Sequence, residues 1–244
     1  MAVVNWFWRK RPKRARVDAP RLRPRSENAA LATRVDLADL APHRDQYLAQ
    51  AAYVQLVIFE GLSANVAAAP TLAAKESISR AAAIALDKHH KLATEIRRTG
   101  AEPAEAMEPY AEQIEFFQRV TQGSTWEDAL VTSHITAGIL DDFFTRVAAG
   151  LPEDLEKRVL AIYGTASHDE LVSDQLRIVI EGRPEIAAHL AMWGRRLVGD
   201  TLLVARHSLA SPPSSATDEA RIEPVFTELI AAHTRRMDAL GLTA

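Results

Sequence analysis

The chain has 244 residues, 48% of them hydrophobic and 6% aromatic, with a net charge of −3 and no cysteine. The missing cysteine excludes a disulfide framework, thiolate-held zinc, iron–sulfur clusters and a thiol nucleophile. The length suits one large domain or two small ones. The lack of a purely apolar run of about 18 residues, or of a secretory leader, leads us to expect a cytoplasmic protein without a membrane span.

The charge is unevenly spread. Residues 1–25 hold nine basic residues against one acid, Asp18, so a segment of +8 precedes a body of −11. Residues 1–40 read as a basic, disordered arm and 41–244 as the folded domain. Three prolines (Pro12, Pro20 and Pro24) and few apolar residues argue against a packed core in the arm. Arg9, Lys10, Arg11, Lys13, Arg14 and Arg16, behind Trp6, Phe7 and Trp8, suit an RNA backbone or an acidic membrane surface. A merely solvating tail explains the same run.

From residue 42 the sequence is helical, rich in Ala, Leu, Glu, Arg and Lys and without period-two alternation. A first helix is expected over 43–66 and a second from Thr71 to a stop at Gly100. A Pro-containing connection with a short helix follows at 103–121. Ser124, with Glu127 three residues on, predicts a capping box for a helix reaching Ala149. Pro152 opens the next helix, which Gly164 and Ser167 interrupt before 168–182. Pro184 opens another, to 209, and the last spans 219–239. Two long helices, a crossover and two more predict an all-α, ferritin-like four-helix bundle with additional C-terminal helices packed outside.

Such a bundle can hold two metals between inward carboxylates and histidines. Glu60 follows Val57, Leu56 and Tyr53 on one helical face, so it is either a ligand or the wet edge of the stripe. His89 lies on the stripe Ser79, Ala82, Leu86, His89, Ala93, Ile96, where it is either a ligand or a hydrogen-bonded core histidine. Asp87 has Glu-x-x-His-like spacing to His90 but lies beside Lys88 and Lys91, which suggests a wetter face. Asp141 and Asp142 flank the seam Trp126, Ala129, Ser133, Thr136, Leu140, Phe143, Val147. One of them can turn inward, and Asp142 can instead pair with Arg146. His168 is a ligand candidate, while Ser167 with Glu170 has the spacing of a second capping box. Walker A, GxGxxG, GxSxG and HExxH motifs are absent. The phrase Trp193 to Asp200 (WGRRLVGD), with two glycines in a helix, reads as a close-packing element.

Several phrases together resemble actinobacterial ferritin-like proteins similar to the tRNA isopentenyl-adenosine hydroxylase. They are YLAQAAYVQLVIFE (47–60), Ala69-Pro70, His89 to Leu92, MEPY (107–110), GILDDF (138–143) and MWGRRLVGDTL (192–202). The resemblance covers about residues 42–241. It implies a ferritin-like bundle and a non-haem di-iron oxidoreductase that hydroxylates the prenyl group of a modified tRNA adenosine. It further implies iron as cofactor and tRNA or another RNA as partner. Carried over by position, Glu60, Asp87, His89, Asp142 and His168 become the metal candidates. The residues three before His89 and His168 are Leu86 and Thr165, where the family pattern has glutamates. That departure keeps a second expectation open: a metal-free ferritin-like scaffold that binds a partner. A homo-oligomer is compatible with either, and no motif points to an electron donor.

Overall fold

The computed structural model describes residues 41–165, 167–209 and 216–243, and the basic arm lies outside them. The helices are α1 (Arg44–Ala68), α2 (Leu72–Arg98), α3 (Pro103–Val120), α4 (Trp126–Val147), α5 (Glu153–Tyr163), α6 (His168–Gly182), α7 (Ala187–His207) and α8 (Ala216–Ala239). No strand occurs among the described residues. Packing closes a ring: α1 lies on α2 and α4, and α6 bridges α2 and α4. The crossover α3 covers α1, while α7 and α8 pack on α4. This is the expected four-helix bundle with C-terminal helices added outside.

Helix α1 explains why the ring can close. Its residues Tyr47–Ala52 are all buried in succession, which no one-sided helix can achieve. Neighbours on several sides are needed, and α2, α3 and α4 supply them. By length and mean hydropathy (1.3) α1 is long and apolar enough to cross a membrane, which the search for unbroken apolar runs had not shown. Its buried residues include Gln50, Gln55 and Asn65, a polar content that suits a helix enclosed by other helices.

The helix ends follow local chemistry. Thr71 caps α2, its hydroxyl accepting from the Ala74 N–H at 3.1 Å. Gly100, at φ 88°, ends that helix in the left-handed region, as the sequence suggests. The capping box of α4 lies one residue later than expected. Thr125 accepts from the Asp128 N–H at 3.1 Å, and the Asp128 carboxylate accepts from the Thr125 N–H at 3.2 Å and the Ser124 hydroxyl at 3.0 Å. Glu127 is drawn away to Arg183. At α6, Ser167 caps through the Asp169 N–H at 3.1 Å. The Pro184 segment begins with a 3₁₀ turn, Pro184–Ile186, before α7.

Of the two glycines in the phrase on α7, one is the packing device that the composition suggests. A Cβ on Gly194 would stand 2.8 Å from Met237 Cε and 3.0 Å from Ile135 Cδ1, so α7 approaches α4 and α8 closely there, whereas a Cβ on Gly199 would meet nothing within 4 Å. Beside it, the Trp193 indole N–H donates to Thr132 Oγ1 at 3.0 Å, which fixes the rotation of α7 on α4.

Candidate functional site

Within the ring of four helices the apolar packing is interrupted by a charged cluster. Its centre is Lys88 on α2, only 2% exposed. Lysine is almost never buried so deeply without a partner. Here Nζ donates to Asp141 Oδ2 on α4 at 2.7 Å. The other oxygen, Asp141 Oδ1, accepts from Gln55 Nε2 on α1 at 2.6 Å. His168, the first residue of α6, brings Nδ1 to 4.0 Å from Asp141 Oδ2. All four ring helices therefore converge on one carboxylate. Tyr163 completes the lining, with the Lys88 ammonium 5.5 Å from its ring centroid, close enough for a cation–π contribution. Burial, then the charges of Asp141 and other neighbours, set the proton affinities. The Tyr163 and Tyr47 hydroxyls are pushed well above the ordinary tyrosine value, mainly by burial. Burial also lowers His168, against the opposing pull of Asp141.

A second layer joins this centre to α8. Arg236 donates to Asp142 Oδ2 at 2.5 Å and stands 3.7 Å from Asp169 Oδ2. Asp169 Oδ1 lies 2.6 Å from His134 Nδ1, a close contact that is poorly aligned for a hydrogen bond. Burial works to raise the Asp169 carboxyl, but His134, Arg236 and His168 together hold it below the usual carboxylate range. His233 is lowered to about 4 by burial and by the charges of Arg236 and His134. The two layers frame a small cavity of about 160 Å³, lined by Lys88, Asp141, Asp142, Tyr163, His168 and Arg236 among others.

The five candidates from the sequence are not brought together. Asp142 and His168 line this cavity. Asp142 turns to Arg236, whereas its expected surface partner Arg146 goes to Glu228. Asp87 is exposed and pairs with Lys91 at 2.7 Å. His89 is half-buried, with Nδ1 2.8 Å from the Ala52 carbonyl, which is the core-histidine alternative. Burial lowers its proton affinity, with smaller opposing and reinforcing effects from that carbonyl and from His90 and Arg97. Glu60 is exposed and lines a different cavity. No group of three or more His, Cys, Asp or Glu is placed to hold one ion among the described residues.

For Asp87 and His89 the reason is a rotation of one residue on α2. The buried stripe runs Ile78, Ala81, Ala85, Lys88, Leu92, Ile96 and so carries Lys88 inward. The expected stripe, through His89, lies one position further round. The spacing was available in the sequence. Lysine ordinarily marks a wet face, so spacing alone does not single out Lys88 as an inward residue. Gln55, Tyr163 and Arg236 had no signal of their own, since each gains meaning only from what it faces.

A family model for the ferritin-like domain of actinomycetes matches residues 44–212. The chain belongs to that family. The matched span contains α1 to α7 and hence every central residue of the cluster except Arg236 and His233 on α8. A search of curated proteins returned no significant match.

Proposed function

We propose that this ferritin-like chain works as a metal-independent binding protein whose bundle centre is held by an internal cation. The observation that carries the reading is Lys88 Nζ at 2.7 Å from Asp141 in the space enclosed by the four ring helices. Two irons need several bridging carboxylates to offset their charge. The residues present do not fit that need. Asp141 already faces an ammonium, Gln55 is a neutral amide on α1, and Asp142 is tied to Arg236. An ammonium beside a carboxylate supplies the positive charge without redox chemistry.

Hydroxylation of a tRNA prenyl group by a di-iron centre is the competing reading, inherited from the family resemblance. Counting metal decides between them. The full chain is expressed in iron-supplemented medium, purified without chelator, loaded anaerobically with ferrous iron and desalted. The proposal expects iron well below one atom per chain. About two iron atoms per chain, lost in Asp141→Asn and His168→Ala, would overturn it and make the oxidoreductase reading primary.

A further inference from the structure

The bundle has a second and larger hollow, of about 640 Å³, between α1, the end of α3 and the first half of α4. That volume lies within the range of cavities that take small organic ligands. Its residues on α4, including Trp126, Ala129, Ser133 and Thr136, are the first half of the apolar seam expected from the sequence. These residues point toward α1, where Asn65 meets two of them: its Nδ2 donates to Ser133 Oγ at 3.1 Å and its carbonyl accepts from the Trp126 indole N–H at 3.0 Å, and the hollow lies beside these contacts.

Three features say what would fill it. First, the walls are small residues (Gly61, Ala64 and Ala129) set between the aromatic faces of Phe117 and Trp126. Gly61 stands inside α1, where glycine costs about 1 kcal/mol relative to alanine. Nothing lies within 4 Å of the place where its Cβ would be, so helix packing does not call for a glycine there. Second, the hydroxyls are underused. Thr136 Oγ1 is buried and has no hydrogen-bond partner among the described residues. Ser133 Oγ accepts from Asn65 Nδ2 at 3.1 Å and donates to no described group. Third, the inner wall is uncharged. The Glu60 carboxylate and the Arg119 guanidinium belong to exposed residues. A charged ligand head at Ser133 and Thr136 would lose hydration with no buried counter-charge beside it.

We infer that this cavity binds an uncharged, mainly apolar small molecule, with an aromatic or aliphatic body against Phe117 and Trp126 and one polar nitrogen or oxygen at Ser133 and Thr136. The site uses none of the ion-pair cluster. It therefore goes beyond the metal-independent reading and stands or falls on other residues.

The test is fluorescence titration of the full chain with N-phenylnaphthylamine, a neutral apolar probe carrying one N–H. The expected result is saturable binding of one probe per chain. Gly61→Leu and Ala129→Phe fill the cavity from opposite walls, and each is expected to weaken binding at least tenfold while the melting temperature holds. Thr136→Val is expected to weaken it severalfold. Leu72→Ser removes an exposed apolar side chain elsewhere and is expected to change nothing. Non-saturable binding, or an unchanged affinity in both filled variants, would overturn the inference. Iron counted in the same preparation reads the other proposal separately, because probe binding depends on the cavity and not on the metal content.

Discussion

Two hollows share helix α4 and differ in what fills them. The smaller one is crossed by paired charges, Lys88 with Asp141 and Arg236 with Asp142 and Asp169, although Tyr163, His134, His168 and Arg236 Nη1 keep buried polar atoms with no hydrogen-bond partner among the described residues. The larger one is walled by small and aromatic residues, with hydroxyls that have protons to spare. Residues 129, 133 and 136 look into one, and residues 138, 141, 142 and 145 into the other. Helical geometry places these two sets on different faces of one helix. The lesson is that the two interiors are distinguishable by charge. An ion-pair network resists an uncharged guest, because that guest must take charges away from their partners. An apolar cavity with idle hydroxyls loses little by accepting one.

The sharpest way to break this contrast is to remove the central cation. Lys88→Met keeps the length and apolar stem and deletes only the ammonium. Asp141, 19% exposed, is then a half-buried carboxylate that keeps the hydrogen bond from Gln55. Leaving a buried charge without its partner costs about 3–5 kcal/mol, and the partial exposure of Asp141 puts this case at the lower end. For a domain of this size that is a fall of about 6–20 °C in melting temperature. The double change Lys88→Met with Asp141→Leu is expected to recover most of the loss, because neither charge is then left alone. A loss below about 1 kcal/mol for Lys88→Met would mean that the pair reaches water, and the contrast between the two hollows would fail. Probe binding in the larger cavity is expected to survive both changes as long as the chain is folded.

Much of the architecture was legible and the centre of the cluster was not, for one physical reason. Helix boundaries depend on neighbours in the chain: Thr71 beside Ala74, Gly100 in its left-handed turn, Pro103 at a helix start. Such signals survive in sequence. The α4 cap was misplaced by one residue because Ser124–Glu127 and Thr125–Asp128 have the same pattern. Tertiary partners favour the second: Arg183 takes Glu127, and His189 Nε2 stands 2.7 Å from Asp128 Oδ1. The inward face of α2 was also misplaced by one residue. Periodicity locates a stripe, but choosing between Lys88 and His89 requires knowing that Asp141 waits on α4. The same holds for Asp141 against Asp142, whose roles are divided by Arg236, nearly a hundred positions away. Long-range charge pairing leaves no local trace.

The charged layer should also make the fold sensitive to acid. His233 has a folded-state proton affinity near 4, below its unfolded value of 6.5. It faces Arg236 on its own helix and His134 from α4, while Asp169 and Asp142 meet that same Arg236 from α6 and α4. Because the folded value is the lower one, the unfolded chain gains a proton first as pH falls. Stability is therefore full above about pH 6.5, declines between 6.5 and 4, and gains no further loss from this group below that. His168 is lowered in the same direction. Asp169 is depressed, so its contribution is retained at neutral pH and lost only at still lower pH. The His233 part is on the order of 2 kcal/mol, or about 4–8 °C between pH 7 and pH 4.5. His233→Gln is expected to flatten that portion of the melting-temperature profile. An unchanged slope would show that His233 is solvated in the native state, and that this side of the cluster is as open as the other cavity.

The finest comparison uses one substitution at two glycines. Gly61 and Gly138 both lie inside helices, where alanine has the intrinsic advantage of about 1 kcal/mol. At Gly61 a Cβ would meet nothing within 4 Å, so Gly61→Ala is expected to raise stability by about 0.4–1 kcal/mol. At Gly138 the same Cβ would stand 3.1 Å from Arg236 Cζ and 3.2 Å from its Nε and Nη1. A free arginine would swing aside, but this one is held by Asp142 and Asp169. The new methyl must therefore displace a guanidinium whose departure loosens two carboxylates. Overpacking of that kind costs about 1–3 kcal/mol, which outweighs the gain in helix propensity. Gly138→Ala is thus expected to lower stability where Gly61→Ala raises it, a difference in sign that chemical unfolding of the two variants reads directly. Stabilisation at both positions would mean that Arg236 yields without cost and that the outer layer of the cluster does not hold it. Destabilisation at both would mean that the wall at Gly61 is already packed and the larger cavity closed.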